Sequence, residues 1–234
     1  MDVRKDASPA GRIPPPTLYK YCPPERIDIL ENLAIRFSRP AEFNDQFDSH
    51  CLVPQVQGSK AKVARLRLKS SLGVFCLTER PDDHLMWVNY ARNHTGFVIG
   101  FDARAAFFRD DGRILRQVEY RATPPVLEDA SVDACFVKAA AWAAESEWRC
   151  VRVFEQSENR VVDIDTPLVT QIIFGSRMED WRMARVARFA AAYEHTSFSA
   201  SLPSSAGFTF DNKPKKLTSC EHCSGSGYTM TDLD

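Results

Sequence analysis

"GVFCLTERPDDHLMWVNYARNHTGFVIGF", residues 73–101, holds the clearest alternation of element types in the chain. Gly73–Thr78 is a short apolar run with the look of a buried strand. Asp82 or Asp83 can cap a helix that runs to about Arg92. Trp87 and Tyr90 stand three residues apart and Met86 and Tyr90 four, so both pairs share one helical face. Gly96 suits a helix stop or a strand entry, and "GFVIGF" reads as the next strand. Met86, Trp87 and Val98–Phe101 are assigned to the core. Tyr90, Asn93 and His94 are expected to reach a site, although a His at a helix end can also simply satisfy the last carbonyls.

Working outward, residues 1–16 are polar and close on three prolines, a composition expected of a disordered leader. "TLYKYC" (17–22) reads as a short strand. Pro23 and Pro24 open a helix over about 25–33, and 34–38 is β-prone. Residues 60–70 are basic and helical in pattern. "RILRQVEY", 147–154 and 168–175 read as strands, 131–145 as an Ala-rich helix and 177–194 as the last helix. From 197 to 234 the text is Ser- and Gly-rich, which reads as a flexible tail. Residues 17–196 therefore form one α+β domain, with a mainly antiparallel or split sheet flanked by helices.

A formal net charge of -1 over 234 residues gives no electrostatic reason to expect nucleic acid or membrane as partner. No apolar run approaches a membrane span and no signal-peptide core opens the chain, so a cytoplasmic protein is expected. Five of the seven cysteines (Cys22, Cys51, Cys76, Cys135, Cys150) are scattered among apolar neighbours, as reduced core thiols are. The other two, Cys220 and Cys223 in "CEHCSGSG", make half of a four-ligand zinc site. Two thiolates do not close such a site, and zinc is not expected. The G-x-G-x-x-G, G-x-x-x-x-G-K-[ST] and H-E-x-x-H patterns are absent, which removes the usual dehydrogenase, P-loop and zincin readings.

The candidate chemistry lies in three places. "KAAAWAAESEWR" (138–149) puts Lys138, Trp142 and Glu145 on one face of the expected helix, with Glu147 just beyond its end. Two carboxylates at an electronegative helix terminus need an offset from Lys138, Arg149 or a ligand. "LYKYC" sets Lys20 between the rings of Tyr19 and Tyr21. "FSRPAEFNDQFD" (37–48) carries Asn44, Asp45 and Asp48, which either close a turn or bind a hard cation.

Taken in order, "LYKY" (18–21), "NLAIRFSRPAEFNDQFD" (32–48), "FCLTE" (75–79), "LMWVNYARNHTGFVIGF" (85–101), "VEY" (118–120), "KAAAWAAESEWR" (138–149) and "IIFGSR" (172–177) resemble domain-of-unknown-function family 2971, a bacterial and phage-associated group sometimes found near defence genes. The arrangement is also similar to the ADP-ribosyltransferases. Their three strand positions fall here at Tyr19-Lys20-Tyr21, at Thr78, and at Glu147 within Glu145-Ser146-Glu147. That second resemblance implies an ADP-ribosyltransferase-like fold and NAD as substrate, for a transferase or NAD glycohydrolase in defence or toxin-type regulation. It implies Glu147 at the oxocarbenium-like transition state, Glu145 at the acceptor and Lys20 at the pyrophosphate. Tyr21, Trp87 or Tyr90 would stack on the bases, and Asn93 and His94 would bond the nucleotide. The acceptor, whether protein, nucleic acid or small molecule, is not specified. Two other readings stand beside it: a non-catalytic interaction module, and a metal-dependent nuclease using Asp45, Asp48, His94, Glu145 and Glu147.

Overall fold

A computed structural model describes residues 12–50, 66–125, 131–155, 158–190, 193, 195–219 and 228–233. The strands are β1 (Thr17–Cys22), β2 (Ala34–Arg36), β3 (Leu72–Thr78), β4 (Phe97–Asp102), β5 (Ile114–Gln117), β6 (Glu119–Arg121), β7 (Val137–Ala139), β8 (Glu147–Val153), β9 (Val161–Asp163), β10 (Val169–Phe174), β11 (Ser197–Pro203), β12 (Phe210–Ser219) and β13 (Tyr228–Asp232). The helices are short: α1 (Asp28–Glu31), α2 (Gln46–His50), α3 (66–71), α4 (His84–Tyr90) and α5 (Asp180–Ala190). Nine strands form one sheet in the order β13-β12-β11-β10-β4-β1-β3-β8-β5. Every pairing in it is antiparallel except β10 with β11. The architecture is thus a mixed one, with a large, mostly antiparallel sheet and few helices. Among the described residues no helix is long and apolar enough to cross a membrane.

The central strands are apolar on both faces because both faces are covered. On β4, Phe97, Ile99 and Phe101 alternate to one side and join the main core with Leu18, Phe75, Trp148, Ile172 and Phe174. Val98 points the other way, into a smaller cluster with Tyr21, Trp87, Ala91 and Ile173 beneath α4. That helix is capped as the sequence suggests: the Asp83 carboxylate accepts the Met86 N–H at 3.0 Å. It then leaves through three consecutive left-handed residues, Arg92, Asn93 and His94 (φ 46°, 53° and 68°). Gly96 enters β4 so close to the Cys22 carbonyl that a Cβ there would collide with backbone.

Three expectations are corrected. The Ala-rich segment 131–145 is not an α-helix. It consists of a 3-10 turn (Val132–Phe136), the strand β7 and a second 3-10 turn (Ala140–Glu145). Pairing of β7 with β6 fixes Val137–Ala139 as extended backbone, against the intrinsic preference of alanine. "RILRQVEY" is two strands, since the chain leaves β8 at Val118 and takes up β7 instead. Third, the described residues beyond 196 are not a flexible tail. β11 pairs with β10, β12 with β11 and β13 with β12, so they extend the sheet. β10 supplies an open row of N–H and C=O groups that the Ser-rich chain satisfies with its backbone, which propensity alone does not reveal. Residues 12–16 of the expected leader carry no helix or strand, and the Pro16 carbonyl accepts the Ala103 N–H at 3.0 Å. Cys51, Cys220 and Cys223 lie outside the described residues, as do residues 1–11.

Candidate functional site

Three neighbouring strands set the site. One row of register partners crosses them, Tyr19 on β1, Thr78 on β3 and Glu147 on β8. β1 and β3 are paired only at Tyr19 and Thr78, whereas β1 keeps six register pairs with β4. Beyond that single pair the two strands part, and the Lys20 ammonium reaches across the gap to the Cys76 carbonyl at 3.3 Å. A cleft of about 410 Å³ opens here. β1 and β3 form its floor, the Phe43–Asp48 segment one wall, α4 another, and Lys138 with the start of β8 its depth.

The deep end is an ion network. Side chains two apart on a strand share a face, so Glu147 and Arg149 of β8 both point inward. The Arg149 guanidinium donates from Nε to Glu147 Oε1 (2.8 Å) and from Nη2 to Glu147 Oε2 (3.0 Å). The same Nη2 meets both oxygens of Asp48 at 3.0 Å, and Nη1 donates to the Cys135 carbonyl at 2.7 Å. Lys138 Nζ bridges Glu147 Oε2 (3.0 Å) and Glu145 Oε2 (2.5 Å). Ser146, at φ 46°, is the left-handed residue that brings the carboxylates on either side of it toward one ammonium. All five charged groups are under a tenth exposed: Asp48 4%, Lys138 4%, Glu145 8%, Glu147 5% and Arg149 1%. Desolvating such charges costs several kcal/mol each, and only near-complete pairing offsets that.

Pairing sets the protonation states. Burial works against the charged form of Glu147, but the Arg149 guanidinium and the Lys138 ammonium outweigh it and hold the carboxyl at about 2. Burial likewise opposes the charge on Lys138, and Glu147 and Glu145 more than restore it, raising its pKa. Asp48 is the exception. Burial raises its pKa, and Arg149 offsets only part of that. Tyr90, desolvated and beside Glu145, is raised too, so its phenol stays protonated and donates to Glu145 Oε1 at 2.7 Å. The Asn44 amide donates to the same phenol oxygen at 3.3 Å.

The sequence-predicted residues divide. Tyr19, Lys20, Tyr21, Tyr90, Glu145 and Glu147 all line the cleft. Thr78 does not; its hydroxyl donates to the Glu145 carbonyl at 2.6 Å and accepts the Arg80 N–H at 3.0 Å, pinning the 145–147 corner to the end of β3. Trp87 is fully buried, with its indole N–H on the Pro81 carbonyl, and is core rather than a stacking wall. Asn93 is exposed outside the cleft. His94 is turned by the left-handed exit of α4 against Trp87 (rings 5.8 Å apart), His84 and Phe210 of β12. Neither Asp45 nor His94 lines the cleft, and Asp48, Glu145 and Glu147 are each bonded to Lys138 or Arg149, so the donor set of the nuclease reading does not converge. Among the described residues no three His, Cys, Asp or Glu side chains are grouped to hold a metal ion. Phe43, Asn44, Met86 and Asn89 also line the cleft. Asn44 is marked by the polar 37–48 stretch and Met86 by its shared face with Tyr90, although Met86 is assigned to the core; Phe43 and Asn89 carry no signal beyond lying in the same two stretches.

No family model, no curated protein and no solved structure matches this chain, so the chemistry of the cleft is argued from its geometry.

Proposed function

We propose that the cleft between β1 and β3 is an NAD site of ADP-ribosyltransferase-like type, and that the protein is a transferase or glycohydrolase that breaks the nicotinamide–ribose bond. The single observation behind this is the Tyr19–Thr78–Glu147 row across a parted sheet, with Glu145, Glu147, Lys20 and three tyrosines lining the one cleft beside it. The resemblance to family 2971 is part of the same reading.

In this reading the bond between the ring nitrogen and ribose C1′ breaks, and its electron pair leaves with nicotinamide. An acceptor hydroxyl or a water forms the new bond to C1′, and its proton passes to Glu145. Charge builds on the ribose in the transition state, so carboxylates facing it act most strongly there. Glu145 is better placed than Glu147 to meet the reacting atoms. It takes one bond on each oxygen, from Tyr90 and Lys138, whereas Glu147 takes one from Lys138 and two from Arg149. Glu147 then serves as a positioning residue that fixes Lys138, and Tyr90 and Lys138 orient Glu145 from its two oxygens.

Proton NMR of nicotinamide release from NAD tests this, with the candidate acceptor classes (protein, nucleic acid, small molecule) added in turn. Wild type is expected to release nicotinamide, and Glu145→Gln to lose about 10²–10⁴-fold, the range for a positioned acid–base group. Release unchanged in Glu145→Gln removes Glu145 from the reaction. NAD bound without release, under every acceptor, favours the second reading, a non-catalytic binding module. The saturated hydrogen bonding of Glu147 and Arg149 is the observation that supports that module.

A further inference from the structure

Outside the cleft, at the exit of α4, a cluster of rings surrounds His94. Its imidazole lies 5.8 Å from the Trp87 ring and nearly parallel to it (12°), 5.4 Å from His84 and 5.2 Å from Phe210. His84 in turn stacks on Phe210 (6.1 Å, 15°). The cluster thus ties both ends of α4 to the start of β12. The backbone is committed to this arrangement. His94 closes the left-handed run Arg92–His94, a conformation that residues other than glycine keep only where the surroundings impose it. Its N–H donates to the Trp87 carbonyl at 3.3 Å, and its carbonyl accepts the Arg177 N–H at 3.0 Å.

His94 is 6% exposed, and its Nδ1 is buried with no hydrogen-bond partner among the described residues. Ser199 and Ser201 of β11, on the side of the sheet that Ile173 shares with Trp87, have buried hydroxyls that are unpartnered too and do not bond the ring. The charged and titratable groups that act on the imidazole are His84 of α4 and Arg177 beyond β10. β12 offers it Phe210, while Asp211 falls on the opposite face of that strand. A neutral imidazole fits these surroundings, because it can keep a bare lone pair at Nδ1. A protonated one must carry an N–H there with no acceptor, beside Arg177 and a second imidazole, and a buried unpaired charge is strongly disfavoured.

We propose that His94 is an acid-sensitive clamp between α4 and β12: on taking a proton its ring leaves the cluster, and the exit of α4 and the start of β12 part. Burial first, then His84 and Arg177, hold the imidazole below its ordinary 6.5. A group depressed in this way contributes stability that is complete above pH 6.5 and is lost as the pH falls through the folded value. The clamp does not depend on what the cleft binds. It does bear on how firmly the cleft is walled, since α4 carries Met86, Asn89 and Tyr90 into that wall.

Two measurements on the full chain test the clamp. In an NMR titration from about pH 8 to 5, the His94 ring signals and the amides of Phe210 and Arg177 are expected to move together, with a midpoint under 6.5. Hydrogen exchange, corrected for its intrinsic pH dependence, is expected to lose protection at His94, Gly96 and Arg177 by up to about tenfold per pH unit below that value, the linkage of one proton. Amides in the β1–β4 ladder are expected to keep theirs. His94→Phe retains a ring and removes the proton site, so its protection at Gly96 and Arg177 should not fall in acid. An equal acid loss in His94→Phe overturns the proposal. So does a wild-type His94 that titrates at or above 6.5, or one whose titration leaves Phe210 and Arg177 unmoved, and these two outcomes decide the matter even where the variant fails to fold.

Discussion

Glu147 shows how a single residue is set by its partners. Its carboxyl, ordinarily near 4.5, is held at about 2 in the folded chain. A depressed carboxylate contributes stability that is fully present above its unfolded pKa and is lost as pH falls toward the folded one. For Glu147 the window runs from pH 4.5 down to about 2. Asp48 acts with the opposite sign, because its raised pKa favours the folded state as the pH drops. Glu147→Gln leaves Arg149 and Lys138 short of an acceptor and is expected to cost about 3–5 kcal/mol at neutral pH. The gap in melting temperature between wild type and variant should close as the pH falls through that window. A gap that stays constant from pH 6 to 2 by circular dichroism would contradict the pairing described here. Part of this was legible from residues: two carboxylates flanking Ser146 called for an offset, and Lys138 and Arg149 supply it. How both carboxylates come to one ammonium beside Asp48 was not legible, because the left-handed turn at Ser146 and the reach of Asp48 from a distant segment decide it.

Elements held where both of their determinants were local. The α4 cap at Asp83, the apolar run of β3 and the alternation in β4 all follow from short-range pattern, and each formed within a residue or two of its expected place. Gly96 joins two of them. Its absent side chain lets β4 begin against the Cys22 carbonyl, which fixes the first register pair of β4 with β1, Cys22 with Phe97. Gly96→Ala is expected to cost about 1–3 kcal/mol through backbone displacement, read as a shift of the urea midpoint. A midpoint unchanged by the substitution would mean that the approach is looser than drawn. The segment 131–145 failed where the determinant was not local. Alanines favour a helix in isolation, but a buried Lys138 that must reach two carboxylates, and a parallel partner in β6, hold the chain extended.

At the scale of the whole molecule, the sheet runs without a break from β5 to β13, and the site lies between its inner strands β1, β3 and β8. The C-terminal strands matter because β11 covers what would otherwise be the open edge of β10, and Phe210 of β12 packs on His94 beside α4. Hydrogen exchange is the direct check. Amides in β10, β11 and β12 that lie in the ladders are expected to exchange orders of magnitude more slowly than those at the Ser204–Thr209 connection. Exchange in β11 and β12 as fast as in that connection would return the segment to the flexible state its composition suggests.

By itself the sequence determined the mixed class, the positions of the central strands, the α4 cap and the residue types that crowd the cleft. All of these depend on periodicity and on neighbours a few positions away. Only the tertiary structure decided that the Ser-rich end would join the sheet, that β1 and β3 would part after one pair, and that His94 would turn from the cleft while Asp48 turned into it. Strand pairing and burial are satisfied between residues far apart in the chain, and a backbone edge accepts almost any sequence that can fill its hydrogen bonds.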